Sequence, residues 1–169
     1  MTRQDFLKKW TFYALALLLT AFLQALVFSR LRLFGFIPVL LPAALSALAT
    51  LEGPASGAGF GIAVGILSMY VDGESAWVIL LASAGGLAAG LLARYVLRQD
   101  FVGHVICTAG LLAVRMLYYF LSHLAGGAAP VSVLLGVALP EFLWSMAFSP
   151  VIYLLFRFVY RRWGSAYYA

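Results

Sequence analysis

Charged residues are scarce in this sequence. Only 10% of its 169 residues are charged, with 11 basic and 6 acidic side chains, whereas 64% are hydrophobic. A soluble globular domain carries about 25% charged residues, and its apolar fraction is roughly 45–50%. So few charges do not cover the surface of a soluble particle of this size. The composition therefore excludes a soluble domain and indicates a protein embedded in a membrane.

The sequence also has few residues that carry chemistry. Its single cysteine, Cys107, excludes an intramolecular disulfide. The two histidines, His104 and His123, fall near opposite ends of one apolar segment, roughly 28 Å apart along a helix, which is too far to share a metal ion. No HExxH motif, glycine-rich phosphate loop or G-x-S-x-G nucleophile elbow occurs. We therefore expect neither an enzyme nor a bound cofactor or metal.

What the sequence does have is long apolar blocks separated by short polar breaks. The blocks are about 20 residues long, the length of helix that crosses a hydrocarbon core of ~30 Å. They predict an all-α fold, a polytopic membrane helix bundle of six transmembrane helices that form one domain over residues 1–169. The second and third blocks are short, and one of them is a candidate for an interfacial start. The predicted spans are 11–29, 36–51, 56–71, 76–97, 102–124 and 131–160.

The basic residues lie mainly at the ends of these blocks. The net charge is +5, but no basic patch alternates with stacking aromatic residues, so nucleic acid is not expected as a partner. Anionic lipid and membrane topology account for the basic residues instead. With six spans both termini share one side, and the excess of basic residues predicts that this side is the cytoplasm. The cytoplasmic set is Arg3, Lys8, Lys9, Arg94, Arg98, Arg157, Arg161 and Arg162, and the outer set is Arg30 and Arg32.

Four glycines recur every four residues along the third span, at Gly53, Gly57, Gly61 and Gly65. Lipid gives helices no hydrophobic drive to associate, so a row of glycines marks a groove into which another helix packs closely. Two interpretations remain open, namely packing of the third span on the fourth and docking of a partner's transmembrane helix. The fourth span offers a matching row of small residues at Ala82, Gly86 and Gly90.

Ionisable residues inside apolar spans cost free energy unless they are paired or hydrated. Arg115 lies near the middle of the fifth span, and Glu141 lies about a third of the way along the sixth. Adjacent antiparallel helices bring both to similar depth, so we predict that Arg115 pairs with Glu141. The alternative is that one of them lines a polar cavity or contacts a partner helix. Glu52 and Asp72 flank the third span, where each either faces water or makes a contact.

The order of these features resembles the MreD family, the small polytopic membrane proteins of the bacterial rod-shape machinery, over nearly the whole chain. The first span ends in LQALVFSRLRLFG, and a proline-containing second span, IPVLLPAALSALA, follows it. The central segment EGPASGAGFGIAVGILSMYVDG is similar to the family's acidic-glycine start, glycine ladder and terminal aspartate. The closing segment LPEFLWSMAFSPVIYLLFRF is similar to the family's last span, with its acidic residue and a later Pro-x-x-Tyr pattern.

The resemblance implies a non-enzymatic scaffold in the bacterial cytoplasmic membrane. Proteins of this family work with the bitopic protein MreC, beside the filament protein MreB, the glycosyltransferase RodA and a class B penicillin-binding protein. The implied role is to organise lateral peptidoglycan synthesis and so cell shape. No catalytic residue is implied. The family's pattern falls on Gly53, Gly57, Gly61, Gly65, Asp72 and Glu141.

The chain is also similar to the substrate-binding S component of energy-coupling-factor transporters, another small six-span protein. The third span of that family often carries a GP-x-x-G-x-x-x-G pattern followed by an acid, and residues 53–72 fit it. Ala21 and Ala25 fit the small residues that its first helix presents to the coupling subunit. This resemblance implies binding of a vitamin or a metal ion. Because the sequence offers few polar groups for a small-molecule cavity, the scaffold is our expectation and the S component the alternative.

Overall fold

The computed structural model of the protein describes residues 3–28, 30, 36–97, 100–125 and 130–164. Arg32 and Arg98, which contribute to the predicted orientation, lie outside these residues. Every element within the described ranges is a helix, which confirms the all-α prediction. The helices are α1 (Arg3–Phe22, continued by a π-helical turn, Leu23–Phe28), α2 (Leu41–Glu52), α3 (Pro54–Asp72), α4 (Trp77–Tyr95), α5 (Phe101–Ala125) and α6 (Val131–Val159, continued by a π-helical turn, Tyr160–Gly164).

Among the described residues, five helices are long and apolar enough to cross a membrane, and α2 is not. Helix α2 has 12 residues, which gives a length of about 18 Å. It begins at Leu41, five residues later than the predicted second span, and residues 36–40 are not helical. Pro42 occupies the first turn of α2, where a proline needs no hydrogen-bond donor. The second span is therefore a short helix that follows a non-helical segment.

Helix α2 is the centre of the bundle. Its residues from Leu41 to Leu51 are all buried, and it contacts each of the other five helices. Alanine and serine make up much of its surface, so that the surrounding helices approach its backbone closely. The largest cluster of buried apolar side chains forms where α1 and α6 pack on α2, and it includes Tyr13 and Phe156.

One glycine separates α2 from α3. Gly53 has φ +95°, a conformation that side chains other than glycine rarely adopt, and Pro54 directly begins the next helix. A Cβ added at Gly53 would meet nothing within 4 Å, so Gly53 serves the turn and differs from the other glycines of its row. Helix α3 ends at a second glycine with positive φ, Gly73 at +69°, in the left-handed cap conformation.

The other three glycines of the row are buried against α4. A Cβ at Gly61 would lie 2.5 Å from Cα of Ser83, and a Cβ at Gly65 would lie 2.5 Å from Cα of Ile79. Gly57 and Gly86 face each other backbone to backbone. At the end of the row, a Cβ at Gly90 would lie 2.5 Å from Cα of Pro54. In this structure the glycine row is therefore occupied by the chain's own fourth helix.

A leucine in this row has no space. We expect Gly61→Leu to destabilise the fold by about 3 kcal/mol or more, because the added side chain meets backbone atoms that cannot move aside. Membrane insertion should be unchanged, since the span becomes more apolar. Thermal unfolding of the protein in detergent measures the first effect, and the amount in the membrane fraction measures the second.

The matched control is Gly59→Leu, at an exposed glycine of the same helix where an added Cβ meets nothing within 4 Å. Its melting temperature should stay close to that of the wild type. Equal melting temperatures for the two variants would show that α3 and α4 do not pack through the glycine row.

Candidate functional site

Four polar side chains form one cluster where α3 ends, and we call Gln24, Asp72, Glu74 and Arg115 the arginine cluster. Asp72 accepts hydrogen bonds from Gln24 Nε2 at 2.8 Å and from Arg115 Nη2 at 3.1 Å. Arg115 Nε donates to Glu74 Oε1 at 2.7 Å, and the charged side chains are about four-fifths buried, with 16–23% exposure. The cluster thus joins α1, α3 and the α3–α4 turn to α5.

The predicted pairing of Arg115 with Glu141 is wrong. Arg115 makes its salt bridges with Asp72 and Glu74, whose nearest distances to Nη2 are 3.1 and 2.6 Å. Arg115 and Glu141 do line the same cavity, as expected from their similar depth. They do not pair because the turn after α3 lies at the level of the middle of α5, so that two other carboxylates are closer to Arg115. Within the described residues, the Glu141 carboxylate accepts no hydrogen bond.

Gln24 and Ser145 hold the non-helical segment that precedes α2. Gln24 Oε1 accepts hydrogen bonds from the backbone N–H groups of Leu40 and Leu41, at 2.8 and 3.2 Å. Ser145 Oγ accepts one from the N–H of Val39 at 2.8 Å and donates to the carbonyl of Glu141 at 2.6 Å. Non-helical backbone at membrane depth needs such partners, because hydrocarbon supplies none. These two side chains therefore make the short central helix possible.

A cavity of about 660 Å³ lies beside the arginine cluster, and we call it the polar cavity. It is enclosed by α5, α6, the segment before α2 and the α3–α4 turn. Helix α5 continues for about 15 Å past Arg115, and α6 begins about 15 Å before Glu141. The cavity therefore lies beside the middle parts of two long helices. The ionisable side chains that line the cavity are those of Asp72, Glu74, Arg115, Tyr118, Tyr119, His123 and Glu141.

A second, much smaller cavity of about 60 Å³ lies on the other side of the arginine cluster. Glu74 and Arg115 line it together with Ser68. Glu74 Oε2 and Arg115 Nη1 are buried atoms that have no hydrogen-bond partner in the described part of the chain. The arginine cluster therefore keeps one acceptor and one donor that its own members do not pair.

A wide apolar groove runs between α1 and α3, on the face of α3 opposite to the glycine row, and we call it the α1–α3 groove. Its volume is about 900 Å³. Ala55, Gly59 and Ala63 recur every four residues along its α3 side, and Ala14 and Leu18 lie on its α1 side. Gly59 is exposed, and a Cβ added there would meet nothing within 4 Å. The fold itself therefore does not require a glycine at this position.

An ion pair fastens the opposite end of the bundle. Lys9 Nζ lies 2.5 Å from Glu52 Oε2, and Tyr13 donates from its hydroxyl to Glu52 Oε1 at 2.8 Å. Lys9 is only 1% exposed, although its position near the N-terminus had indicated a water-facing charge. Glu52 therefore makes a contact, as Asp72 does at the other end of α3, and the two acids connect α1 to the centre of the bundle.

His104 belongs to a buried polar network. Its Nδ1 lies 3.0 Å from Ser46 Oγ, and its Nε2 lies 2.8 Å from Ser149 Oγ. Thr108 bonds to Ser46 at 2.5 Å between the hydroxyl oxygens. In the described ranges, no group of three or more His, Cys, Asp or Glu residues is placed to hold a metal ion. The network links α2, α5 and α6.

Several residues of these sites were not predicted from the sequence, among them Gln24, Glu74 and Lys9. Gln24 had a usable signal, since an amide within an otherwise apolar span is costly unless it has a partner. Glu74 was assigned to a polar break, where a charge needs no explanation, and Lys9 to the positive N-terminal stretch. Only the folded structure brings these side chains against helices that are distant in sequence.

The arginine cluster depends on its single cation. We expect Arg115→Gln to lower stability by about 3 kcal/mol, the lower end for a buried ion pair, because two carboxylates then remain close together without a counter-charge. The melting temperature in detergent should fall by roughly 6–12 °C. A variant that also carries Asp72→Asn and Glu74→Gln should recover most of the loss. Glu141→Gln is the control and should change the melting temperature less than Arg115→Gln.

If the triple variant is as unstable as Arg115→Gln alone, charge compensation between Arg115 and the two acids does not stabilise the cluster.

Comparison of the chain with protein-family models, with curated proteins and with solved structures finds no match. The comparisons therefore neither support nor contradict the resemblance to MreD or to the S components. They leave the α1–α3 groove and the polar cavity as the two features on which a function can be argued.

Proposed function

We propose that this protein is a non-enzymatic membrane scaffold of the MreD type, which binds the single transmembrane helix of a bitopic partner in the α1–α3 groove. The observation that carries the proposal is the exposed Gly59 in that groove. A glycine inside a helix costs about 1 kcal/mol relative to alanine. No contact among the described residues requires this glycine, and it lies between Ala55 and Ala63 at a spacing of four, whereas the equally exposed Gly110 lies between Ile106 and Val114. A close contact with another helix is therefore the physical reason that we assign to it.

The groove has the surface that helix association in lipid needs. Small residues spaced by four let two backbones approach, and packing then replaces the missing hydrophobic drive. Ala55, Gly59 and Ala63 form such a row, flanked by the bulkier Phe60 and Leu67. The row of Gly57, Gly61 and Gly65 is buried against α4, so it is not the docking surface. Each face of α3 thus has its own row of small residues, one for α4 and one for the partner.

Small residues line the groove along about two turns of α3, since Ala55 and Ala63 are eight residues, or about 12 Å, apart. The partner would therefore contact this protein over about two turns, and the rest of its span would face lipid or other subunits.

The resemblance to MreD supplies the identity of the proposed partner. On this proposal the helix in the groove belongs to MreC, with MreB, RodA and a class B penicillin-binding protein in the same assembly. The protein would help organise lateral peptidoglycan synthesis, and so cell shape, from the bacterial cytoplasmic membrane. Both termini would be cytoplasmic, on the side that the positive-inside rule favours.

Filling the groove should remove the partner. We expect Gly59→Leu to reduce co-purification with the co-expressed MreC-type partner at least tenfold, because the side chain would occupy the space that the partner backbone needs. Gly110→Leu is the matched control, at another exposed helical glycine where an added Cβ meets nothing within 4 Å. It should bind the partner like the wild type.

Two results would contradict the proposal. One is wild-type binding by Gly59→Leu, and the other is an equal loss of binding in the Gly110 control.

The second candidate function is the S component of an energy-coupling-factor transporter, and the polar cavity is the observation that favours it. The sequence predicted few polar groups for a small-molecule site. Three carboxylates and Arg115 nevertheless meet at one cavity of about 660 Å³, a volume within the range of ligand sites. Stable association with a pair of ATPase subunits, without binding to MreC, would favour this function over the scaffold.

A further inference from the structure

We propose that the polar cavity binds an ammonium group, carried either by a free small amine or by the head group of an amine-bearing lipid. This inference stands on the cavity alone and does not depend on the α1–α3 groove. It therefore holds or fails separately from the scaffold proposal.

Acidic side chains outnumber basic ones in the lining of the polar cavity. Asp72, Glu74 and Glu141 line the cavity with a single cation, Arg115. Arg115 is already engaged with two of these acids, at 3.1 Å from Asp72 and 2.6 Å from Glu74. Its charge is therefore shared, and the carboxylate of Glu141 accepts no hydrogen bond among the described residues. A cation is the ligand that this excess of acid favours.

His123 lines the cavity and is held by a hydrogen bond to the backbone. Its Nδ1 lies 2.8 Å from the backbone carbonyl of Tyr119. A carbonyl oxygen only accepts, so Nδ1 carries the proton in this hydrogen bond. In the neutral imidazole, Nε2 is then an acceptor. Glu141 and His123 thus bring acceptors to the same cavity, and an ammonium group offers three N–H donors.

Two tyrosine rings, Tyr118 and Tyr119, line the cavity. Tyr119 also packs against His123, with their ring centroids 4.0 Å apart. The face of a tyrosine ring attracts an ammonium cation within about 6 Å of its centroid. An anion would gain nothing from these rings and would be repelled by the acids.

The cavity lies beside non-helical backbone. Two non-helical stretches contribute to its wall, with Val39 from the segment before α2 and Gly73 from the α3–α4 turn. Within a membrane such backbone is tolerated where it is buried in protein or borders a wet cavity. Exposed leucines surround the site on α5 and α6, including Leu117, Leu121 and Leu143. A polar ligand could therefore come from water or from the adjoining lipid, and both sources have to be tested.

The test uses the full-length protein and two pairs of probes. Ethanolamine is the free amine, and ethylene glycol is its uncharged counterpart. Phosphatidylethanolamine is the lipid that carries the same amine, and phosphatidylglycerol is the lipid counterpart without it. Thermal shift in detergent reports the free probes, and native mass spectrometry of protein released from lipid nanodiscs reports the retained lipids.

We expect ethanolamine to raise the melting temperature more than ethylene glycol, or phosphatidylethanolamine to be retained more than phosphatidylglycerol. The first result identifies a free amine as the ligand, and the second identifies a lipid. Glu141→Gln should weaken the preferred probe at least tenfold, because it removes the unpaired carboxylate at nearly constant volume. Asp100→Asn is the control, since it removes an acid that is not part of the cavity lining and asparagine caps a helix equally well.

The proposal is overturned if neither amine is preferred over its counterpart in the wild-type protein. It is also overturned if Glu141→Gln and Asp100→Asn bind the preferred probe equally well. The wild-type comparison alone decides the matter if Glu141→Gln does not fold.

Discussion

The whole arrangement depends on the hydrogen bonds of a short non-helical segment inside the bundle. Helix α2 is only 12 residues long, and residues 36–40 before it are backbone without helical hydrogen bonds. Gln24 and Ser145 provide the missing partners. Gln24 is in turn held by Asp72, and Asp72 by Arg115. The backbone N–H groups before α2 lack helical acceptors, and the side chains that supply them are linked by hydrogen bonds from α1 to α5.

This dependence also explains why charged residues occur where lipid would make them costly. An isolated arginine in the middle of a span is unfavourable, whereas Arg115 is neutralised by two acids and contributes to holding the turn after α3. At the opposite end, Lys9 and Glu52 join α1 to the end of α2 in the same way. The helices between these two ends are held mainly by close packing. Few charges suffice because the acids that pair with Arg115 and Lys9 lie at or next to the end of a helix.

Much of the fold could be predicted from the sequence, because apolar blocks and glycine spacing are local patterns. The helical bundle and the small-residue rows of α3 and α4 follow directly from them. The start of α2 was missed because an apolar run does not distinguish helix from extended backbone, although Pro42 marked the first turn of the helix. The partners of Arg115 were missed because they depend on the level at which α3 ends. The outer row at Ala55, Gly59 and Ala63 became visible only when the glycine row proved to be buried against α4.

The glycine row is packed against α4, so the α1–α3 groove is the face that we assign to a partner helix. Cysteine cross-linking in native membranes tests it most directly, with Cys107 replaced by serine so that a single cysteine remains. A cysteine at Gly59 should cross-link to cysteines spaced every three to four residues along the partner's transmembrane helix, whereas a cysteine at Gly110 should not. Cross-links of equal yield from both positions, or none from Gly59, would contradict the account.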